Sequence, residues 1–218
     1  MTEKEKFQSL DKKEKVTYLW DYYKIPIIGG ISIILIAIYL VYISLTRPNE
    51  QIFYASLVNS FADVSEDSEF YKEFVDYAGI DTKDYTVNLE TGSHFDLSSI
   101  SGSNNVYYQK TIAIVEAGMV DVIVTDKANY EALASTGRFL SLEDERVKSI
   151  YDAYPNRVLS TIHVETGQKA YVGIDVSDSK WWKQLQTYEN GAVVLINPDA
   201  PHIEKVKSFI DFLCTKES

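Results

Sequence analysis

Ala117-Gly118-Met119-Val120-Asp121-Val122-Ile123-Val124-Thr125-Asp126 is the stretch on which the fold turns. Gly118 closes a helix over Asn105–Ala117 that carries Tyr108, Ile112, Val115 and Met119 on one stripe. Val120–Thr125 then runs almost wholly apolar with Asp121 inside it, the pattern of a strand covered on both faces. The segment after Asp126 returns to helical spacing over Asn129–Ser135 and stops at Gly137. A helix, a two-faced strand and a second helix in sequence make one step of an α/β sandwich.

The same alternation extends both ways. Upstream, Ile52–Val58 and Tyr85–Leu89 read as strands around a helix at Ser65–Tyr77, with Phe70, Phe74 and Tyr77 set to face the core. Downstream, Val147–Tyr154 reads as a helix. Val158–Val164 and Lys169–Ile174 read as a hairpin around Glu165-Thr166-Gly167-Gln168. Asp178–Tyr188 reads as a helix, with Trp181, Leu185 and Tyr188 on its core stripe. Ala192–Ile196 is another apolar strand, and Ile203–Leu213 is an amphipathic helix. The expected fold class is α/β, with a mainly parallel sheet flanked by helices.

Ahead of this domain lies a different kind of sequence. No charge interrupts Ile25 to Thr46, 22 residues rich in Ile, Leu, Val and Tyr. As a helix that run spans roughly 33 Å, enough for a hydrocarbon core of about 30 Å. Pro26 falls in its first turn, and Gly29, Gly30 and Ser32 are tolerated in membrane helices. The exit Ser44-Leu45-Thr46-Arg47-Pro48 holds no small-residue cleavage pattern, which favours an anchor over a signal peptide. Lys4, Lys6, Lys12, Lys13, Lys15 and Lys24 precede the run, whereas Arg47 alone follows it before Lys72. The positive-inside rule then puts the N-terminus in the cytoplasm and the rest outside. Trp20, Tyr22 and Tyr23 fit the inner aromatic belt, and Ser9–Lys24 is either a basic helix on anionic lipid or an extension of the span. The expected organisation is a cytoplasmic basic tail at 1–24, a transmembrane helix at 25–46, a linker at 47–51 and an extracytoplasmic α/β domain at 52–218.

Composition narrows the function. The chain has 218 residues and a net charge of −11. From Arg47 onward it has 15 basic and 27 acidic residues, which argues against nucleic acid and against anionic surfaces. A single cysteine, Cys214, excludes an internal disulfide and any cysteine-based metal site. Asp63, Glu66, Asp67 and Glu69 lack the turn glycine and closing glutamate of a calcium loop and suit a helix N-terminus instead. His94, His163 and His202 share no ligand spacing. No nucleophile elbow, P-loop or dinucleotide fingerprint is present, so no enzyme, cofactor or metal is expected.

In open α/β sheets ligands gather at the carboxyl ends of strands. Those ends carry Asn59-Ser60, Glu90-Thr91-Gly92-Ser93, Thr125-Asp126 and Asp175-Val176-Ser177. Such side chains either cap helices or bind a polar solute. Thr125, Asp126, Ser60, Thr91 and Ser93 are the candidate contacts. Trp182, about 100° around the helix from Trp181, is a further candidate if it lies at the edge.

Three segments carry a family resemblance: Ala117–Asp126, Tyr130 to Leu142 with its Gly137-Arg138-Phe139-Leu140-Ser141-Leu142 exit, and Asn197-Pro198-Asp199-Ala200-Pro201 before the last helix. In that order they resemble extracellular solute-binding proteins of the type II periplasmic-binding fold, here with a reduced second lobe. Trp20-Asp21-Tyr22-Tyr23-Lys24 resembles uncharacterised membrane-anchored proteins of Gram-positive bacteria. The resemblance implies a tethered, non-catalytic module that presents or senses a small polar solute, with a membrane transporter as its partner. The alternative is a protein–protein interaction module of an envelope complex that keeps the fold without a working pocket.

Overall fold

The computed structural model describes residues 11–46, 49–98 and 104–215. It divides into two compact units, residues 1–48 and 49–218.

The described part of the first unit forms one continuous helix, α1 (Lys12–Thr46). Its Lys24–Ile43 portion is long and apolar enough to cross a bilayer, and apolar side chains such as Ile33, Leu35 and Leu40 are exposed along it. The basic stretch from Lys12 to Lys24 is a helical extension of the apolar run, so Pro26 lies in the helix interior and not in a first turn. There it removes one N–H from the backbone ladder. Lys4, Lys6, Ser9, the linker residues Arg47 and Pro48, and the side chains of Tyr22 and Tyr23 lie outside the described residues.

The second unit contains β1 (Glu50–Leu57), α2 (Glu69–Tyr77), β2 (Tyr85–Glu90), α3 (Val106–Glu116), β3 (Val122–Asp126) and α4 (Lys127–Ala134). It continues with α5 (Lys148–Ala153), β4 (Val158–Ile162), β5 (Lys169–Asp175), α6 (Lys180–Gln184), β6 (Ala192–Ile196) and α7 (Ile203–Cys214). Glu50 and Gln51, expected in the linker, already belong to β1. The acidic stretch Ser65–Asp67 precedes α2, because Ser68 is the N-cap and accepts from the Tyr71 N–H.

The six strands form one sheet in the order β2-β1-β3-β6-β5-β4. β1 pairs in parallel with β2 and β3, whereas the β3–β6, β6–β5 and β5–β4 pairs are antiparallel. The sheet is therefore mixed, which corrects the expectation of a mainly parallel one. A strand covered on both faces reads the same whichever way its neighbour runs. The helix expected over Asp178–Tyr188 is also corrected: α6 stops at Gln184, and Gln186 and Tyr188 adopt left-handed backbone angles, φ 50° and 52°.

Both faces are buried. On one, Phe53, Phe70, Phe74, Phe209, Phe212 and Trp181 pack together under α2, α6 and α7. Each such ring contributes about 1.5–3 kcal/mol by leaving water. Tyr77 sits at the rim of this cluster, its ring 5.7 Å from that of Phe212, and is half exposed. On the other face Tyr54, Val58, Val115, Ile123, Tyr130, Leu133 and Val193 pack under α3 and α4. Met119, expected on the α3 stripe, is exposed. Asp121, the charge inside the apolar run, is fully buried just before β3. Its carboxylate accepts the Tyr54 N–H at 2.8 Å and the His202 N–H at 3.2 Å, tying β1 and the start of α7 to β3. Burial pushes its pKa up, against the opposing effect of these N–H groups and of His202.

Candidate functional site

The carboxyl ends of β1, β2, β3 and β5 share one edge of the sheet, with the amino end of β6 between β3 and β5. After β1 the chain passes through α2 on one face, and after β2 it returns through α3 on the other. The strand order thus reverses between β1 and β3, which makes their ends the switch point where open sheets hold ligands.

Here the switch point is filled by the protein itself. The Tyr188 hydroxyl donates to the Val58 carbonyl at 2.7 Å and lies 3.2 Å from the Val124 carbonyl. Burial, with the Asp126 charge adding to it, pushes this phenol well above its ordinary pKa, so it remains a donor. The neighbouring Thr187 hydroxyl donates to Ser60 Oγ at 3.1 Å, and Ser60 also accepts the Ala62 N–H. Trp182 stands edge-on to the Tyr188 ring at 5.1 Å and donates its indole N–H to the Val176 carbonyl at 2.6 Å.

Local backbone geometry brings this plug into place. The left-handed turns at Gln186 and Tyr188 reverse the chain after α6, and Gly191 completes the reversal at φ 97°. A Cβ on Gly191 would lie 2.5 Å from Ser177 Oγ, so only glycine lets the loop close against β5. The Val176 N–H then donates to the Ala192 carbonyl, and the Ala192 N–H to Ser177 Oγ.

The opposite side of the edge is pinned by Asp126. Its carboxylate caps α4 through the Asn129 N–H at 3.0 Å and accepts the Asn59 amide at 2.8 Å. Asn59 and Asn129 in turn hold the loop after β2 by bonds to Phe95 and Leu97. Of the sequence candidates, the structure thus joins Asp126 to this network, Ser60 to Thr187, and Trp182 to Tyr188. Thr91 is half-buried at the exit of β2. Ser93 and Thr125 are fully buried with hydroxyls that meet no partner. Trp182 is 3% exposed, not an edge aromatic.

Beyond the plug the edge carries an aromatic patch that the sequence reading missed. Phe61 is 87% exposed and stacks on His94 at 4.1 Å with the rings 9° from parallel. Tyr107 stands edge-on to the same imidazole at 6.5 Å and is 45% exposed, beside exposed Val106. The signal lay in Asn59-Ser60-Phe61-Ala62-Asp63, where a large ring sits inside a turn composition. A groove of about 560 Å³ lies beside α6, and another of about 570 Å³ runs between α2 and β2. Among the described residues no group of three or more His, Cys, Asp or Glu is placed to hold a metal.

Comparison with protein-family models, with curated proteins and with solved structures gives no match.

Proposed function

We propose that the chain is a single-pass membrane protein whose residues 49–218 face the exterior and act as a non-catalytic docking module for another envelope protein. The observation that carries this reading is the solvent-exposed Phe61 ring stacked on half-buried His94, beside a switch point already closed by Tyr188. A small solute has no room where Tyr188 sits, while an uncovered, preorganised aromatic pair supplies the anchor on which protein contacts concentrate. The tether is α1, and the lysine asymmetry around its apolar run supports an inward N-terminus. The excess of carboxylates after Arg47 selects a partner segment with an apolar side chain flanked by basic residues.

The β1–α2–β2–α3–β3 half, with its helices on alternate faces, supports the resemblance to a periplasmic-binding lobe. The antiparallel β6–β5–β4 half is where this chain departs from a uniformly parallel plan.

A photo-reactive benzoylphenylalanine placed at Phe61 in the full chain, irradiated in intact cells, tests the docking surface. A discrete adduct at position 61, lost with Tyr107→Asp and not seen from exposed Lys148, is the expected result. The same adducts from both positions, or none from 61, would remove the basis for the reading.

A further inference from the structure

The groove between α2 and β2 lies away from the Phe61 patch. Asn49 and Tyr85, at the amino ends of β1 and β2, line it, whereas Phe61 follows the carboxyl end of β1. One wall is a sheet edge, because β2 stands first in the strand order. The Val58 N–H donates to the Val124 carbonyl and the Asp121 N–H to the Tyr54 carbonyl, so alternate residues of β1 from Tyr54 onward face β3. Phe53, Ala55 and Leu57 then face β2, and the backbone groups of Tyr85, Val87 and Leu89 point outward. The Tyr85 N–H is taken by the Asp81 carbonyl, and the Val87 N–H reaches the Tyr71 phenol. The Leu89 N–H and the carbonyls of Tyr85, Val87 and Leu89 have no protein partner among the described residues. Lysine and proline, the usual guards of such an edge, are absent from Tyr85–Glu90.

The facing wall is acidic and open. Glu66, Asp67 and Asp76 line it, all exposed. Lys72 is the one cation in the lining, and Asp67 holds it through its carbonyl at 2.6 Å and its carboxylate at 3.9 Å. Glu66 and Asp76 have no cation of their own among the described residues. Burial, with the Glu66 charge adding to it, pushes the Tyr71 phenol up, which sets that carboxylate close to the β2 edge. Tyr85 adds an exposed ring on which a cation can rest. A helix beside an open strand edge is the geometry in which an extended peptide adds as a further strand, its backbone giving affinity and its alternate side chains specificity. Every second side chain of such a strand falls on the α2 side, against Glu66 and Asp76. A second copy of this chain would bring its own excess of carboxylates to the same place. We infer that this groove captures an extended segment of another protein, with Lys or Arg at every second position, as an added strand beside β2. This goes beyond the docking reading and does not depend on it.

The full chain in phosphatidylcholine nanodiscs is titrated calorimetrically with a capped peptide of alternating lysine and valine, and with its glutamate–valine counterpart. Two further forms of the lysine peptide carry N-methyl groups on one or the other alternate set of backbone amides. The lysine peptide is expected to bind saturably and the glutamate peptide not to bind. One methylated form should bind like the parent and the other at least tenfold more weakly, because only one set of amides faces β2. Hydrogen exchange at the Leu89 amide should slow in the complex. Glu66→Lys and Asp76→Lys, both at exposed positions, should each weaken binding at least tenfold with the unfolding temperature unchanged, whereas Glu189→Lys, the same charge change elsewhere, should leave it intact. Absence of saturable heat from the lysine peptide overturns the inference. So does equal binding of the two methylated forms, which marks a contact of charge alone, or equal effects of Asp76→Lys and Glu189→Lys. The Phe61 cross-link is unaffected by any of these results, so the two readings fail separately.

Discussion

Tyr188→Phe removes one oxygen from the switch-point plug and leaves its ring in place. The phenol is the donor at 2.7 Å to the Val58 carbonyl, whereas the Val124 carbonyl also accepts the Val58 N–H at 2.8 Å. The substitution therefore takes a partner from the buried Val58 carbonyl more than from Val124. A carbonyl left unsatisfied away from water costs about 1–3 kcal/mol. For a unit of this size each kcal/mol moves the unfolding temperature by about 2–4 °C, so a loss near 2 kcal/mol should lower it by about 4–8 °C. Tyr107→Phe is the control, since that ring is largely solvated and its change should stay within about 0.5 kcal/mol. Thermal unfolding of the full chain in micelles, followed by near-ultraviolet circular dichroism, reads both. Tyr188→Ala should cost more, about 3–5 kcal/mol, because the ring's contacts with Trp182 also go. If Tyr188→Phe unfolds within error of the parent, the hydroxyl does not close the sheet edge and the argument against a switch-point ligand falls.

Three other outcomes follow from the same geometry. Burial pushes Glu90 up, but the bonds from the Lys110 ammonium and the Tyr54 hydroxyl outweigh it and hold the carboxyl below its ordinary range. Its stabilising effect is then present above the ordinary carboxylate pKa and lost as pH falls through the folded value. Glu90→Gln should therefore cost about 0.5–1 kcal/mol in urea titrations at pH 7 and less as the pH falls below the ordinary carboxylate range, and a cost that does not change with pH would contradict the assignment. Asp126→Ala deletes the α4 cap and the bond to Asn59; a loss of about 1–2 kcal/mol is expected, and hydrogen exchange should show the 93–97 loop loosening ahead of the sheet. The full chain should stay with membranes through alkaline carbonate and lose residues 49–218 to protease added outside intact cells, whereas protection of that unit would reverse the orientation.

Much of this fold is legible because burial leaves a period in the sequence. Phe70 and Phe74 fall four apart and both reach the core, and α7 shows its face through Val206, Phe209, Ile210 and Leu213. The hairpin announces itself by Gly167 between two β-rich runs, and the pairing of β4 with β5 is the result. Asp126 is legible as a cap, since a carboxylate between a strand and a helix has a backbone N–H to meet. The partner that makes Asp126 more than a cap is not legible: Asn59 lies 67 positions away, and nothing in either segment's local pattern encodes the contact. Phe61 shows the converse difficulty. An aromatic in a turn reads equally as a core residue or a surface one until its neighbours, here His94 and Tyr107, are known.

The two larger departures have a common origin in residues 176–191. Reading Asp178–Tyr188 as one helix supplies an element long enough to cross the sheet, and a crossing connection would make β5 and β6 parallel. The apolar stripe Trp181, Leu185, Tyr188 supports that reading, because spacing of four and three is what a helix shows. Yet the stripe arises differently: Trp181 is buried from α6, while Tyr188 reaches the core from a loop whose backbone has already turned left-handed. With only Lys180–Gln184 helical, the segment cannot carry the chain across. It folds back at the same edge, delivers β6 antiparallel to β5, and leaves Tyr188 between the ends of β1 and β3. Sheet direction and the closed switch point are thus one fact. A substitution that extended α6 through Gln186 would have to break the Tyr188 bonds to do so.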